Sequence, residues 1–306
     1  MTKIKVIGVC GSGSNTISRM VRAKLRGPEL IALNTDEQAL RICLAPQKIL
    51  IGENITKGLG AGMDTFLGEK AALSSKGKIA DVLKGADMVF VTCGLGGGTG
   101  SSGAPIVAQI AKGLGILTIA VVTTPFFFEG IQRKNIANLA IKKLKDKVDG
   151  LLVIPNDKLV ELATEKTTVA NSFFISDEVL KEAVQGVTDL ILTPGIINVD
   201  FADVKAIMKN SNQAFFGIGR AKGENRAPEA AERAINSPLL DFSINKEAKG
   251  ILFNVSGRNI SLAEVNTVAR IITKNANRRA KIIFGAIEDR KAKKDEIKLT
   301  VIATGF

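Results

Sequence analysis

The sequence predicts an α/β fold in two parts, a Rossmann-like parallel-sheet domain joined by a long central helix to a smaller mixed α+β domain. Three observations carry this prediction. The first half alternates near-continuous apolar, β-branched runs with longer segments of helical period, the pattern of a parallel sheet covered on both faces. One long stretch near the middle keeps the three-and-four spacing of an apolar helix face. Beyond it, strands and helices alternate in a different, mixed order. The boundaries read from these shifts are 1–175 for the first domain, 176–194 for the connecting helix, and 195–306 for the second domain.

The elements follow in order. "KIKVIGV" is a strand, "NTISRMVRAKL" a helix and "LIALNTD" a second strand. "ADMVFVT" and "LTIAVVT" are two more strands, with the helix "APIVAQIAKGLG" between them. The helix "IQRKNIANLAIKKLKDKV" then leads into the strand "GLLVIPN". In "SDEVLKEAVQGVTDLILTPG" the residues Val179, Leu180, Ala183, Val184, Val187, Leu190 and Ile191 form the apolar stripe. Ser176 or Asp177 is the expected cap of this helix, and Pro194-Gly195 its stop. At a rise of ~1.5 Å per residue it would extend roughly 25 Å, a strut between domains. "QAFFGIGRA", "GILFNVSG", "AKIIFGAIE" and "KLTVIATG" read as strands. They enclose the helices "APEAAERAIN" and "SLAEVNTVARIITKN", the second opened by a Ser261/Glu264 capping box.

Composition removes several classes of function. The longest apolar stretch, "ILTIAVV", is too short to cross a bilayer, and "MTKIKVIGV" has no signal-peptide core. Three cysteines, Cys10, Cys43 and Cys93, without close pairing point to a reducing compartment, so a cytoplasmic location is expected. There is no histidine, tryptophan or tyrosine, which excludes histidine triads and zincin-type metal sites. The net charge of +12 raises nucleic-acid binding as a possibility. Yet "IKKLKDK", "NRRAK" and "EDRKAKKDE" are each broken by acidic or apolar residues, and none interleaves aromatics as a base-stacking platform would. They read as solvated faces, and no nucleic-acid partner is expected.

Two glycine-rich turns stand at the ends of different strands. "GVCGSGSN", Gly8 to Asn15, is half a P-loop: Gly8 and Gly13 bracket four residues, but Ser14-Asn15 replaces the lysine and hydroxyl pair. As a dinucleotide fingerprint it fails where Thr16 stands instead of glycine or alanine. Alone it fits a phosphate cradle or a tight structural turn. The second, "VTCGLGGGTGSSGAP", has six glycines in the ten positions from Gly94 to Gly103. Two sets of backbone amides converging on one point suit a polyphosphate; the plain alternative is close helix–strand packing.

"GGGTGSS" closely resembles the signature of the tubulin/FtsZ superfamily. The resemblance to its bacterial-type division branch runs end to end through "ALNTDEQAL", "ITKGLGAG", "GADMVF", "GILTIAVVTTPFFFEG", "IPNDKL", "VLKEAVQG", "PGIINVDFADVK" and "AINSPLL". It implies a GTPase, with GTP or GDP and Mg²⁺ as ligands, that polymerises head to tail into protofilaments of the division ring. The expected partners are therefore the chain itself and regulators of that ring, at the division site. The resemblance places the first phosphate loop on Gly11, Ser12, Gly13, Ser14 and Asn15, and the second on Gly96, Gly97, Gly98, Thr99 and Gly100. Glu129 and Arg133 match positions that contact ribose and base. Asp177 matches the guanine reader, and Phe173 the ring packed on the base. Asp200 and Asp203, with Asn198, match the loop that polarises and positions the attacking water.

A carboxylate can indeed accept from the N1 and N2 donors of guanine, which adenine lacks in that arrangement. The acidic pair would repel a triphosphate in its own subunit. With Asp177 at one end of the strut and "NVDFAD" past the other, the pair is expected to serve a neighbour's nucleotide in a head-to-tail stack, a contact that builds filaments. Plainer roles stay open: Asp177 as a helix cap, Arg133 as a surface residue, Phe173 and Phe174 as core, and the acidic loop as the cap of "ADVKAIMKN".

The chain departs from the family at Cys10 and Ser12, usually glycine, and at Ser102, where the signature has glycine. Its basic balance is atypical. The tail that docks membrane anchors is not found after "TVIATGF", so no direct membrane binding is expected. The substitutions also motivate the alternative of a GTP-binding polymer subunit with weak or no hydrolysis. A Rossmann-type oxidoreductase is disfavoured by the two loops and the poor fingerprint.

Overall fold

The structure is a computed structural model that describes residues 2–160, 168–209, 211, 214–237, 248–274, 276–289 and 292–305. Gln213 and Asn275, the expected ends of a strand and a helix, fall outside the described residues. So do Pro238 to Leu240 of "AINSPLL" and Arg290 and Lys291 of the last basic cluster. The chain divides into two compact units, Met1–Gln185 and Gly186–Phe306.

In the first unit the strands are β1 (Ile4–Val9), β2 (Glu29–Asn34), β3 (Gln47–Leu50), β4 (Met88–Gly94), β5 (Leu117–Thr124) and β6 (Gly150–Pro155). They form one sheet in the order β3-β2-β1-β4-β5-β6, and all its pairings are parallel. Helices α1 (Cys10–Arg22), α2 (Glu37–Ile42), α3 (Glu53–Thr56), α4 (Thr65–Ser74), α5 (Lys76–Leu83), α6 (Gly98–Gly113), α7 (Ile131–Lys145) and α8 (Asn156–Val160) connect them. Every residue of β1 is buried, as expected of a central strand covered on both faces. Its Ile7 and Val9 join Val89, Val91, Val107 and Ala111 in one apolar core. Each of these valine and isoleucine side chains contributes about 1.5–3 kcal/mol on burial.

The strand order reverses between β1 and β4, which is where open α/β sheets leave a crevice beyond the carboxyl ends of their strands. The predicted strands are present. Two helices, however, begin earlier than expected. α1 opens at Cys10 rather than Asn15, and α6 at Gly98 rather than Ala104. The glycine-rich "loops" are therefore largely first helical turns. Glycine is a poor helix former, so composition alone favoured a loop there. Gly8 and Gly13 explain the early start of α1: a Cβ on Gly8 would lie 2.4 Å from the Gly13 carbonyl oxygen. Their spacing serves the close approach of strand and helix.

Helix α9 (Val169–Leu192) carries the chain from the first unit into the second. It starts at Val169 rather than at Ser176 or Asp177, which corrects the expected cap. The Thr168 hydroxyl accepts the Asn171 amide at 3.2 Å and takes that role. Ser176 and Asp177 lie inside the helix with other partners.

The second unit contains α10 (Phe201–Met208), β7 (Ala214–Lys222), α11 (Arg226–Ile235), β8 (Gly250–Gly257), α12 (Leu262–Thr273), β9 (Lys281–Glu288) and β10 (Glu296–Thr304). The sheet order is β7-β10-β8-β9, with β10 antiparallel to both neighbours and β8 parallel to β9. This is the mixed sheet expected. Ala227, Ala230, Ala231 and Ala234 on α11 and Val268 and Ile272 on α12 share a core with the inward side chains of β8 and β10. The Ser261/Glu264 capping box forms, with Glu264 N donating to Ser261 Oγ at 3.2 Å and Ser261 N to Glu264 Oε2 at 2.8 Å. Burial raises the Glu264 carboxyl, but the bonds from Arg226 and Ser261 outweigh it and hold it below the usual range.

Candidate functional site

The carboxyl ends of β1, β2, β4, β5 and β6 surround a cavity of ≈ 570 Å³ in the first unit. Helices α1 and α6 point their amino ends into it, and neither has an acidic residue in its first turn. First-turn amides have no partner within the helix, and the helix dipole adds partial positive charge. Two such ends meeting at one cavity make an anion site. Of the first expected loop, Gly11, Ser12 and Asn15 line the cavity; of the second, Gly97, Gly98, Thr99 and Gly100 do.

Gly13, Ser14 and Gly96 are not among the lining residues. Gly13 packs on Gly8, Ser14 is buried, and Gly96 sits against Pro125 and Arg133 with its amide donated to Ser101 Oγ at 2.9 Å.

The three departures from the family pattern take different places. Cys10 has φ +70°, a left-handed conformation that suits glycine, and it is among the residues that line the cavity. Burial holds its thiol above the ordinary pKa. Ser12 also lines the cavity and lies against Gly94. Ser102 faces away from it. Its hydroxyl donates to Gly98 O at 2.7 Å and packs against Gly68 of α4.

Glu129, Arg133, Phe173 and Asp177 all line the same cavity. Glu129 accepts the Phe126 amide at 3.0 Å and stands 3.8 Å from Arg133. Phe173 is 41% exposed and meets Phe126 edge-on, at 5.2 Å between ring centroids, so it is not core. Asp177 is buried. Its Oδ1 accepts from Thr16 Oγ1 at 2.9 Å and its Oδ2 from Arg19 Nε at 2.8 Å. Burial pushes its carboxyl above the usual range, and these two donors pull it back.

Sequence reasoning missed several lining residues, among them Asn34, Thr35, Asp36 and Asn156. Asn34 Nδ2 is buried without a partner, and the Thr35 and Thr99 hydroxyls lie 2.6 Å apart. The available signal was their place at or just after the ends of strands β2 and β6, at the carboxyl edge of the sheet. Thr16 and Arg19, the partners of Asp177, lacked even that.

The cavity is lined by first-unit residues alone. Asn198, Asp200 and Asp203 belong to the second unit. Asp200 stands at the N-cap position of α10 but makes no side-chain cap bond, and it is exposed. Asp203 is half-exposed and lies 3.5 Å from Lys281. Asn198 Oδ1 accepts the Gly195 amide at 2.7 Å, bracing the turn that presents the acids.

Among the described residues no helix is long and apolar enough to cross a membrane. No group of three or more cysteine or acidic residues among them stands ready to hold a metal ion.

Comparison with known proteins agrees with this architecture. The profile for the Tubulin/FtsZ family, GTPase domain, matches residues 3–164, and that for the FtsZ family, C-terminal domain, matches residues 212–306. An FtsZ dimer from M. jannaschii, solved empty, is 44% identical, with a TM-score of 0.94 over 100% of this chain and 88% of that one. CetZ1 from Haloferax volcanii, a GDP-bound monomer, shares the fold at 20% identity and a TM-score of 0.86, over 100% of this chain and 94% of that one. CetZ2 from the same organism, a GTPγS-bound protofilament, does so at 20% identity and 0.82, over 99% and 92%. The GTPase-domain match spans more than half of the chain and the M. jannaschii structure aligns along all of it, so the chain belongs to the tubulin/FtsZ family.

Proposed function

We propose that the protein is a self-assembling GTPase that stacks head to tail into protofilaments of the division ring. GTP binds in the first-unit cavity and is hydrolysed at the subunit interface by the acidic loop of the neighbouring subunit. One observation carries this reading. The phosphate-binding helix ends and the base-reading residues share one cavity, whereas Asp200 and Asp203 lie in the other unit, Asp200 exposed and without a side-chain cap bond and Asp203 half-exposed beside Lys281. Solved relatives assembled as a dimer and as a protofilament support self-association.

In this reading the amides of Gly11, Ser12, Thr99 and Gly100 hold the phosphates, Glu129 and Arg133 the ribose side, and Phe173 the base plane. Asp177 reads guanine. The neighbour's Asp200 and Asp203 accept a proton from the attacking water, and its Asn198 holds their turn in shape. Phosphoryl transfer needs mainly positioning and charge stabilisation, which this arrangement supplies without histidine.

Mg²⁺ would arrive with the nucleotide. The neutral oxygens of Thr35 and Thr99, with Asp36 beside them, suit an ion held chiefly by phosphate oxygens and water rather than by a protein cage. When bound, it neutralises phosphate charge.

Phosphate release measured across a protein concentration series tests the model, with turnover per subunit expected to rise above a threshold. Asp203→Ala should keep GTP affinity, lower turnover about a hundredfold or more, and poison wild-type filaments when mixed in. Turnover independent of concentration would place a complete site in each subunit and end the shared-site reading. Tight GTP binding with no turnover in wild type would favour the weakly hydrolysing polymer, for which Cys10 and Ser12 in the first helical turn are the motive.

A further inference from the structure

We infer that Arg19 and Thr16 are specificity-determining residues, which aim the Asp177 carboxylate so that it selects a purine with adjacent ring N–H and amino donors. The inference rests on the cavity being a GTP site and concerns how that site chooses its base.

A carboxylate has about four lone-pair positions. In this chain Thr16 occupies one on Oδ1 and Arg19 one on Oδ2, which leaves one free on each oxygen of a residue lining the cavity. Two acceptors side by side match the N1–H and N2–H edge of guanine. Hypoxanthine offers only the first of these donors. Adenine has an acceptor at N1 and would meet the carboxylate with like polarity.

The geometry is built rather than incidental. Arg19 reaches Asp177 through Nε while its guanidinium lies 4.1 Å over the Phe174 ring, so stacking fixes the plane from which it donates. The Thr16 hydroxyl donates to the other oxygen. Asp177, Thr16 and Arg19 are all largely enclosed, with Arg19 only 21% exposed. Lysine lacks both the fork and the stacking face, so it cannot reproduce this arrangement.

The same contacts oppose protonation of the acceptor. Burial favours the neutral carboxyl, and neutral Asp177 would present a proton to guanine instead of a lone pair. Besides Arg19 and Thr16, the groups facing it are the Cys10 thiol at the start of α1 and Glu178 on its own helix. Glu178 is paired with Lys181. Glu178 raises the Asp177 carboxyl and Arg19 lowers it, so Arg19 supplies the cationic compensation. Removing it moves protonation of Asp177 to higher pH.

Equilibrium binding of GTP, ITP and ATP to the full chain, with Mg²⁺ and across pH, tests this. Arg19→Gln should weaken GTP about ten- to a hundredfold, shrink the GTP-over-ITP ratio and leave ATP nearly unchanged. Its GTP affinity should also fall off on acidification at a higher pH than in wild type. Arg19→Lys should restore much of the acid limb but not the GTP-over-ITP ratio. Thr16→Val should lower that ratio in a chain whose charge is intact, and Thr16→Ser should retain it; this pair keeps the test valid if the Arg19 variants misfold.

Equal loss of all three nucleotides with an unmoved pH limb would make Arg19 structural and overturn the inference. A wild type with no preference for GTP over ATP would overturn the GTP-site reading itself, and the inference with it. Wild-type preference abolished by Asp177→Asn but untouched by the Arg19 and Thr16 variants would overturn the inference alone.

Discussion

The two glycine-rich segments that meet at the cavity look alike in sequence and differ in what their backbone needs. In the second, Gly98 is wedged: an added Cβ would lie 2.5 Å from the Asp64 carbonyl oxygen and 3.0 Å from that of Ala61. In the first, an added Cβ on Gly11 meets nothing within 4 Å. Gly8 and Gly13 do touch, but they lie behind the cavity, out of its wall. The second segment is thus constrained by the fold, and the exposed rim of the first by whatever enters the cavity. Gly98 and Gly100 are held to glycine by close backbone neighbours, whereas cysteine at position 10 takes a left-handed conformation that would suit glycine.

The largest effect that tests this contrast is Gly98→Ala. The neighbours are backbone atoms of the segment before α4, and the Gly98 amide donates to Gly62 O in that same segment at 2.7 Å. Neither side can give without moving part of the cavity wall. Gly98→Ala should cost about 3 kcal/mol and lower GTP affinity tenfold or more. Denaturant unfolding and nucleotide titration read the two losses, which should appear together. A stable variant with weak binding would mean that the crowding at Gly98 comes from the ligand after all.

Cys10 gives the intermediate case. A left-handed conformation costs a side-chain-bearing residue about 1–2 kcal/mol, partly offset by the added unfolded-state freedom of glycine. Cys10→Gly should therefore stabilise the protein by up to about 1 kcal/mol, seen as a higher denaturation midpoint with an unchanged m-value. A lower midpoint would show that the thiol's packing near Gly94 and Gly100 outweighs the strain.

The same two segments mark the limit of what was legible in the sequence. Apolar runs such as "ADMVFVT" identified β4 because a doubly covered strand has no polar face to hide it. β3 was missed: "QKIL" is four residues long and none of them is buried. The starts of α1, α6 and α9 were placed late for a shared reason. A helix start is set by contacts that composition does not encode: Gly8 against Gly13, Gly98 against Asp64, and the Thr168 cap. Most of the candidate site was legible through a resemblance of motifs. Thr16 and Arg19 were not, because they meet Asp177 across 161 and 158 residues of chain. Ser102 posed a question that only the backbone answers; it is helical and turned toward α4, so it leaves the cavity amides alone.

Gly11→Ala is the smallest perturbation and the sharpest separation of fold from ligand. Gly11 lies in the first turn of α1 without a positive φ, and nothing opposes a methyl group there. Replacing glycine by alanine at a compatible site stabilises by about 0.5 kcal/mol through the unfolded chain. The fold should thus gain slightly, the reverse of Gly98→Ala. The methyl would nonetheless project beside the amides assigned to phosphate, where backbone must approach the anion closely. GTP affinity should then fall severalfold while the denaturation midpoint holds or rises. If affinity stays at the wild-type level, the phosphates do not approach Gly11, and the anion site rests on the α6 end alone. The opposite signs of stability and binding, found at Gly11 and not at Gly98, would show which glycines serve the nucleotide and which serve the chain.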